Sequence, residues 1–393
     1  MTAPQPIRIT ALCLASCLGR GRAAHLQALV EGRSGLTPCD WGDLPFDCHI
    51  GRVQGLEEDA FPEAHAAYDN RATRLALAAL RQDGFLDALG RWRAAQGAGR
   101  IGLVIGTSTS GVERLESAYR ARPETEPLPA EYSLRHHNDH HAVTAFLHGF
   151  LQISGPGHTV STACSSSAKA LIDAVHLIEA GLCDAVVAGG VDSLCLTSLA
   201  GFEALELVSR APCRPCDVSR DGLSIGEGAA FLLIERASAG PRLAGYGETS
   251  DGTNMSTPPE DGRGAAEAMR QALARAGLGA GEIAYVNLHG TATPANDAAE
   301  GAAIQAVMGE QVPVASLKGA LGHTLGAAGA LEVALCLLAQ KAGLRPGTPG
   351  LQNQDPEIAC RVLSAPERGP MQHVLSNAFG FGGSNTALVL SRE

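Results

Sequence analysis

Aromatic residues are scarce in this chain, 4% of 393 residues, so the core is expected to be built from small and aliphatic side chains. The 47 glycines and the 45% hydrophobic share suit tightly packed helices and strands rather than disorder. Positive charge is also in short supply. Lys and Arg number 30 against 41 Asp and Glu, a net charge of −11, which excludes the broad basic surface a nucleic acid needs. No uninterrupted apolar run reaches the ~20 residues that span a bilayer, so no membrane span is expected. The opening MTAPQPIRIT has neither the charged lead nor the cleavage site of a signal peptide. The 11 cysteines follow no repeating spacing, which points to reduced thiols in a cytoplasmic protein.

At 393 residues the chain exceeds what one simple core usually holds, so two domains or one large duplicated α/β unit is expected. IRITALCLAS reads as a first strand, and GRAAHLQALVEGRSGL as a helix closed by Gly32 and Gly35. Residues 36–65, rich in Pro, Asp and Gly, read as an excursion over the surface. Asn70–Leu89 has helical periodicity, and RIGLVIGTSTSG is a buried strand running into a glycine-rich turn. From 182 onward CDAVVAGGVD, GEGAAFLLIER, RLAGYGE, EIAYVNLHG, VPVASLKGALGH, MQHVLSNAFG and SNTALVLS read as strands. Helices lie between them at GRGAAEAMRQALARAGL, DAAEGAAIQAVMG and AAGALEVALCLLAQKAG. Short continuous apolar runs of this kind predict α/β layers with parallel strands. Around Cys164, and again around His323, a strand, a polar turn and a small-residue helix follow one another. Both helices are apolar almost all round, which places them between sheets, with the two turns meeting at one site.

That site begins with VSTACSSSAK. Cys164 stands at the first turn of a helix, where free N–H groups and the macrodipole favour an anion, so its thiol is expected to ionise more readily than a free one. Taken alone, such a cysteine is more often buried and inert. Three further residues change the balance. His289 ends a strand in NLHGTATPAND, and His323 opens a helix in SLKGALGHTLGAAG with Lys318 just ahead of it. Either histidine alone reads equally well as a satisfied core residue, and Lys318 as a structural ion-pair partner. Two histidines at turns wrapped in Gly and Thr fit the way catalytic groups gather where strands end. His136, His137, His140 and His141 invite a metal, yet only Asp139 accompanies them, and a solvated or interface helix is the better reading. Cys213 and Cys216 form one CxxC without a second pair, in a loop flanked by Arg and Pro, and are read as structural.

TACSSS, HGTATPAND, LKGALGHTLGAAG and NAFGFGGSN, in this order, resemble the motif set of the β-ketoacyl-[acyl carrier protein] synthases, condensing enzymes of the thiolase fold. CRPCDVSRDGLSIGEGAA resembles another block of that family, and ITALCLASCLG with LVEGRSGL its opening strand and helix. The similarity runs along nearly the whole chain. It implies a duplicated αβαβα five-layer sandwich, with residues 1–245 holding the nucleophile and cap insertions and residues 246–393 both histidines. It also implies a homodimer, or a heterodimer with a related synthase or chain-length subunit. The implied partner is an acyl carrier protein, with no cofactor beyond the phosphopantetheine that the carrier brings. By the same resemblance Cys164 is the nucleophile and His289, His323 and Lys318 its catalytic companions. Thr291 and Thr293 match the pair that touches the phosphopantetheine arm, and Phe381 the gating phenylalanine, with Phe379 beside it. Asn287, Glu332, Ser376 and Asn377 correspond to a structural cation site of some relatives.

The implied reaction is decarboxylative condensation of a malonyl carrier thioester with an acyl group held on Cys164, in fatty-acid, polyene or polyketide elongation. A thiolate serves it as both nucleophile and leaving group. The N–H groups of Cys164 and Phe381 are the expected oxyanion donors, His289 and His323 the donors to the enolate, and Lys318 acts by charge and by orienting His323. Some positions depart from the family pattern. Cys216 stands where relatives usually carry Phe, Asn254 in SDGTNMSTPP replaces a His, residues 113–141 lack the usual wording, and CSSSAKAL looks more polyketide-like. These departures suggest a specialised synthase. A thiolase would carry a second cysteine in a C-terminal CxGGG turn, where this chain has GFGGSN, and an initiating synthase a Cys-His-Asn set. The remaining alternative is a chain-length partner subunit acting mainly in assembly, against which the presence of Cys164 argues.

Overall fold

The computed structural model describes residues 5–392. Strands β1 (Ile7–Ser16), β2 (Gly19–Arg20), β3 (Ile101–Gly106), β4 (Gly157–Val160), β5 (Ala185–Asp192) and β6 (Gly228–Arg236) form one sheet. Their order across it is β2-β1-β6-β5-β3-β4. A second sheet joins β7 (Arg242–Ser250), β8 (Tyr285–Asn287), β9 (Pro313–Ala315), β10 (Arg361–Val362), β11 (His373–Gly380) and β12 (Ser384–Ser391), in the order β7-β12-β11-β8-β9-β10. Setting aside β2 and β10, both sheets read first, fifth, fourth, second, third strand of their half. The chain is therefore a structural duplication. The expected division at 245/246 falls inside β7, which belongs wholly to the second sheet.

The sheets are mixed, not parallel throughout as the apolar runs suggested. β5, β3 and β4 run parallel, as do β11, β8, β9 and β10, but β6 and β12 are antiparallel to both of their neighbours. The reason lies in the connections. β12 follows β11 through a tight turn at residues 381–383, and a tight turn can only reverse direction, whereas a parallel partner needs a crossover. Burial on both faces looks the same in sequence for either direction.

Five layers result. Helix α1 (Arg71–Leu80) covers the outer face of the first sheet, and α2 (Ser166–Glu179) leads away from the Cys164 turn between the sheets. On the far side α3 (Arg263–Ala276) and α4 (Pro294–Met308) cover the second sheet. α5 (Ala328–Ala342) lies beside α2 and is buried from Ala328 to Gln340. Small residues bring the central pair together: a Cβ on Gly329 would sit 2.7 Å from the backbone nitrogen of Ala168. Ser167 Oγ accepts the Ala330 N–H across that contact at 2.9 Å. Leu325–Ala342 is, among the described residues, the one helical stretch long and apolar enough to cross a bilayer, and 89% of it is buried as the core of this sandwich. The single helix expected over Asn70–Leu89 is broken, because Asp83 (φ 59°) and Gly84 (φ 71°) turn the chain before a new helix at Phe85–Gln96.

Candidate active site

Three of the turns that carry candidate residues hold a non-glycine residue in the left-handed region. Ala163 (φ 52°) precedes Cys164, Ala292 (φ 68°) separates Thr291 from Thr293, and Leu325 (φ 51°) follows His323 by two. A Cβ makes that conformation costly by roughly 1–3 kcal/mol, so these turns persist only because their surroundings impose them. At the first, the Thr162 N–H donates to Ser166 Oγ (2.9 Å) and Ser165 Oγ–H to the Thr162 carbonyl (2.9 Å), tying the turn to the start of α2. Gly380 closes the opposite side. A Cβ there would meet the Thr162 carbonyl at 2.7 Å and Cys164 N at 3.3 Å, so glycine lets the end of β11 press on the Cys164 turn.

The fold brings three sequence-named side chains to one point. Cys164 Sγ and the ring nitrogens offered by His289 and His323 all lie within 4.8 Å of one another. The two imidazoles meet edge to face, with centroids 5.3 Å apart and planes at 84°. Cys164, His289 and His323 are 5%, 3% and 1% exposed, at the base of a cavity of about 300 Å³. Phe202, Leu205, Leu223 and Phe381 contribute apolar walls, and Thr291 and Thr293 line it with their hydroxyls 2.9 Å apart. Phe379 packs on His289 at 5.7 Å and Phe381 on Phe202 at 5.6 Å between ring centroids. Asn254, also lining the cavity, folds its own loop by accepting from the N–H groups of Ser256 (2.9 Å) and Thr257 (3.2 Å).

Electrostatics correct one expectation. Burial pushes the Cys164 thiol up to about 11, opposed by the Lys318 ammonium and by the backbone amides of Phe381 and Cys164. At rest Cys164 is a thiol, because loss of water outweighs the pull of a helix start. Burial first, and Lys318 second, hold both His289 and His323 well below the usual imidazole range, so both are neutral. His289 Nδ1 and both ring nitrogens of His323 make no hydrogen bond within the described residues. Buried polar atoms left open in this way face a ligand or solvent in the working site.

Lys318 combines the two readings open for it. Its Nζ donates to Glu332 at 2.7 Å with both groups buried, and its charge acts on Cys164, His289 and His323 together. Cys, His and His also have the composition of a metal site, but that ammonium opposes a further cation among them. The residues matched to a structural cation fall into two groups. Asn287 Nδ2 donates to Glu332 (2.8 Å) and Ser376 (3.2 Å), whereas Asn377 Nδ2 donates to Glu300 (2.9 Å). The histidines at 136–141 do not converge on one ligand. His136 lies against the Tyr68 ring, His137 accepts the Ser133 N–H, His140 reaches the Ser108 carbonyl and His141 meets Thr159 Oγ1. Cys213 and Cys216 are buried in their loop, the first with its thiol 3.3 Å from the Lys318 carbonyl.

Two carboxylates near the site were not picked out by sequence reasoning. Glu300, pushed up to about 7 by burial, accepts the N–H groups of His289 (2.9 Å) and Gly290 (2.8 Å) and so holds the His289 turn. Asp192, at the end of β5, accepts from two separate segments of the chain, residues 107–109 and Gly326. The available signal was an acid set among small and apolar residues, Glu300 in AAEGAA and Asp192 in VVAGGVD.

Residues 4–239 match the family of the β-ketoacyl synthase N-terminal domain, and residues 241–352 that of its C-terminal domain. The chain is 35% identical over 325 residues to 3-oxoacyl-[acyl-carrier-protein] synthase 2 of Rhizobium meliloti, covering 74% of each. It is 30% identical over 414 residues to 3-oxoacyl-[acyl-carrier-protein] synthase 2 of Vibrio cholerae, covering 98% of each. Among solved structures it is similar to a ketosynthase (ApeO) in complex with its chain length factor (ApeC) from Xenorhabdus doucetiae. That likeness has a TM-score of 0.90 at 35% identity, over 99% of this chain and 98% of the other. With its duplicated sandwich and its matched domains, the chain belongs to the β-ketoacyl synthase family, the condensing acyltransferases of the thiolase fold.

Proposed function

We propose that this chain elongates a carrier-bound acyl group by decarboxylative condensation, with Cys164 as nucleophile. The observation that carries the reading is the meeting of Cys164 Sγ, His289 and His323 within 4.8 Å. In the first half-reaction Cys164 attacks the acyl carrier thioester. Its proton passes to a neutral imidazole beside it and then to the departing carrier thiolate, leaving the acyl group on Cys164. In the second, a malonyl carrier thioester binds and loses CO2, and the bonding electrons move onto its thioester oxygen. His289 and His323 each donate one N–H to that enolate. The carbanion attacks the acyl carbonyl, whose oxyanion takes the N–H groups of Cys164 and Phe381, and collapse expels the Cys164 thiolate. The product is a 3-ketoacyl carrier thioester longer by two carbons, and the thiolate takes up a proton from solvent.

Lys318 acts through its charge and by ordering the His323 turn. Thr291 and Thr293 hold the phosphopantetheine arm, Phe381 gates access to the sulfur, and Phe379 supports His289. No free cofactor enters this scheme. Of the residues matched to a structural cation, Asn377 with Glu300 suits a hard ion better than Asn287 with Glu332, because the side-chain Oδ1 of Asn377 is buried and unpaired beside Glu300 whereas Glu332 is already met by the Lys318 ammonium. Such an ion would hold the end of β11 to α4 and takes no part in the chemical steps. The two halves divide just ahead of β7. The likeness to a ketosynthase bound to its chain length factor supports a cytoplasmic heterodimer of that kind, with this chain as the active member because it keeps Cys164.

The test is intact-mass analysis of the purified protein after exposure to a panel of acyl carrier thioesters. A single acyl adduct is expected on wild type and none on Cys164→Ala. An adduct that persists in Cys164→Ala, or product formed without it, overturns the reading.

A further inference from the structure

We propose that Asp192 is a positioning residue for the condensation: its carboxylate clamps the turn that carries His323 to the turn after β3, and so sets the histidine against the nucleophile. Asp192 is fully buried, and no Lys, Arg or His pairs with it among the described residues. Hydrogen-bond donors alone meet its charge. Oδ1 accepts from Thr107 Oγ1 (2.6 Å), Thr109 N (2.9 Å) and Thr109 Oγ1 (2.9 Å). Oδ2 accepts from Ser108 Oγ (2.6 Å) and Gly326 N (2.6 Å), and the Ser108 N–H is shared between both oxygens at 3.0 Å.

These bonds tie together the pieces on either side of the reacting atoms. Gly326 lies three residues beyond His323, next to the left-handed Leu325, and among the described residues its N–H makes the one bond from that turn to the carboxylate. The other side of His323 is fixed separately, its N–H donating to the Ser224 carbonyl (2.7 Å) and its own carbonyl accepting from Gly226 (2.9 Å). From the clamp to Cys164 the path is equally short. Thr107 N donates to the carbonyl of Val160 at 3.1 Å, at the end of the strand that enters the nucleophile turn. Removing Asp192 therefore takes the 2.6 Å acceptor from the Gly326 N–H and leaves it only the longer contact to Ser108 Oγ (3.3 Å), while the other side of the turn stays bound. The carboxylate is also close enough for its negative charge to hold the Cys164 thiol up, against Lys318, with neutral His289 and His323 on the facing side and Glu332 behind the lysine. A filler of the core would have no such effect.

The inference rests on the two half-reactions proposed above, and its test separates the two. Wild type, Asp192→Asn and Ser108→Ala are compared in acyl loading of Cys164 by mass, in CO2 release from malonyl carrier thioester, and in the pH profile of Cys164 alkylation. Asp192→Asn is expected to lose roughly 10- to 100-fold in CO2 release, as a displaced catalytic group does, with loading changed by less than about 3-fold. Its alkylation profile should move to lower pH, because a negative charge beside the thiol is gone. Ser108→Ala, which keeps the charge but loses a bond to Oδ2, should lose CO2 release in the same sense with the alkylation profile in place. It also decides the matter if Asp192→Asn does not fold. Equal loss of both half-reactions in Ser108→Ala, loss of neither, or an unmoved profile in folded Asp192→Asn overturns the positioning role. Failure of wild type to load is a different result and overturns the function itself.

Discussion

The resting state of Cys164 sets two physical effects against each other, and alkylation kinetics separate them. A thiol raised from 9.0 to about 11 by burial is disfavoured as an anion by about 3 kcal/mol. A helix start returns 0.3–1 kcal/mol, up to about 2 in favourable geometry, so burial wins. The consequence is about a hundredfold less thiolate at pH 8 than an ordinary cysteine carries. Iodoacetamide, which reacts with the thiolate, should therefore modify Cys164 about a hundredfold more slowly than a free thiol at pH 8, with a rate rising tenfold per pH unit up to about pH 10. Acyl loading should not share that slope, because an imidazole within 4.8 Å takes the proton as the bond forms. The assay is peptide mass spectrometry of carbamidomethylated Cys164 after timed pulses between pH 6 and pH 10. A rate that levels off below pH 8 would show a resting thiolate and refute the argument that desolvation dominates this site.

Three other outcomes follow from the same geometry. His289→Ala and His323→Ala should each reduce CO2 release from malonyl thioester by about 100-fold, the worth of one oxyanion-type donor, while an acyl adduct on Cys164 is still seen by intact mass. Lys318→Met should cost about 3–5 kcal/mol in a denaturant titration because it strands buried Glu332, and Lys318→Met with Glu332→Leu should recover much of it. His25 is buried between Ser16 Oγ and the Gly21 carbonyl, and burial lowers it from 6.5 to about 4. Below pH 6.5 the unfolded chain binds a proton there that the native one refuses, so stability should fall by about 3 kcal/mol between pH 6.5 and pH 4. His289 and His323 shift in the same direction and add to that acid loss, and His25→Gln should show a shallower decline in Tm over this interval.

Much of the site was legible because its residues stand at strand ends in turns of small residues. Cys164, His289, His323 and Lys318 were each marked by that local pattern, and the GFGG turn by its glycines. What stayed hidden was the set of groups whose role exists only across the fold. Glu300 lies in a helix that reads as ordinary, yet its carboxylate takes the backbone of the His289 turn. Asp192 reads as the last residue of a strand, and only the packing shows that Gly326 and residues 107–109 converge on it. Asn377 sits next to Ser376 in the chain, but neighbouring residues on a strand face opposite ways, and its amide goes to Glu300, not to Glu332.

By itself the sequence determined most of the elements and their succession, the break at Asp83 and Gly84 apart, together with the small-residue central helices and the identity of the groups able to do acyl chemistry, because these depend on local periodicity and residue type. Strand direction waited on the tertiary structure, since a buried strand has the same composition whichever way it runs. So did the protonation of Cys164. A helix start is visible in the sequence, but the water that a thiol loses depends on everything packed around it, and here that loss is the larger effect.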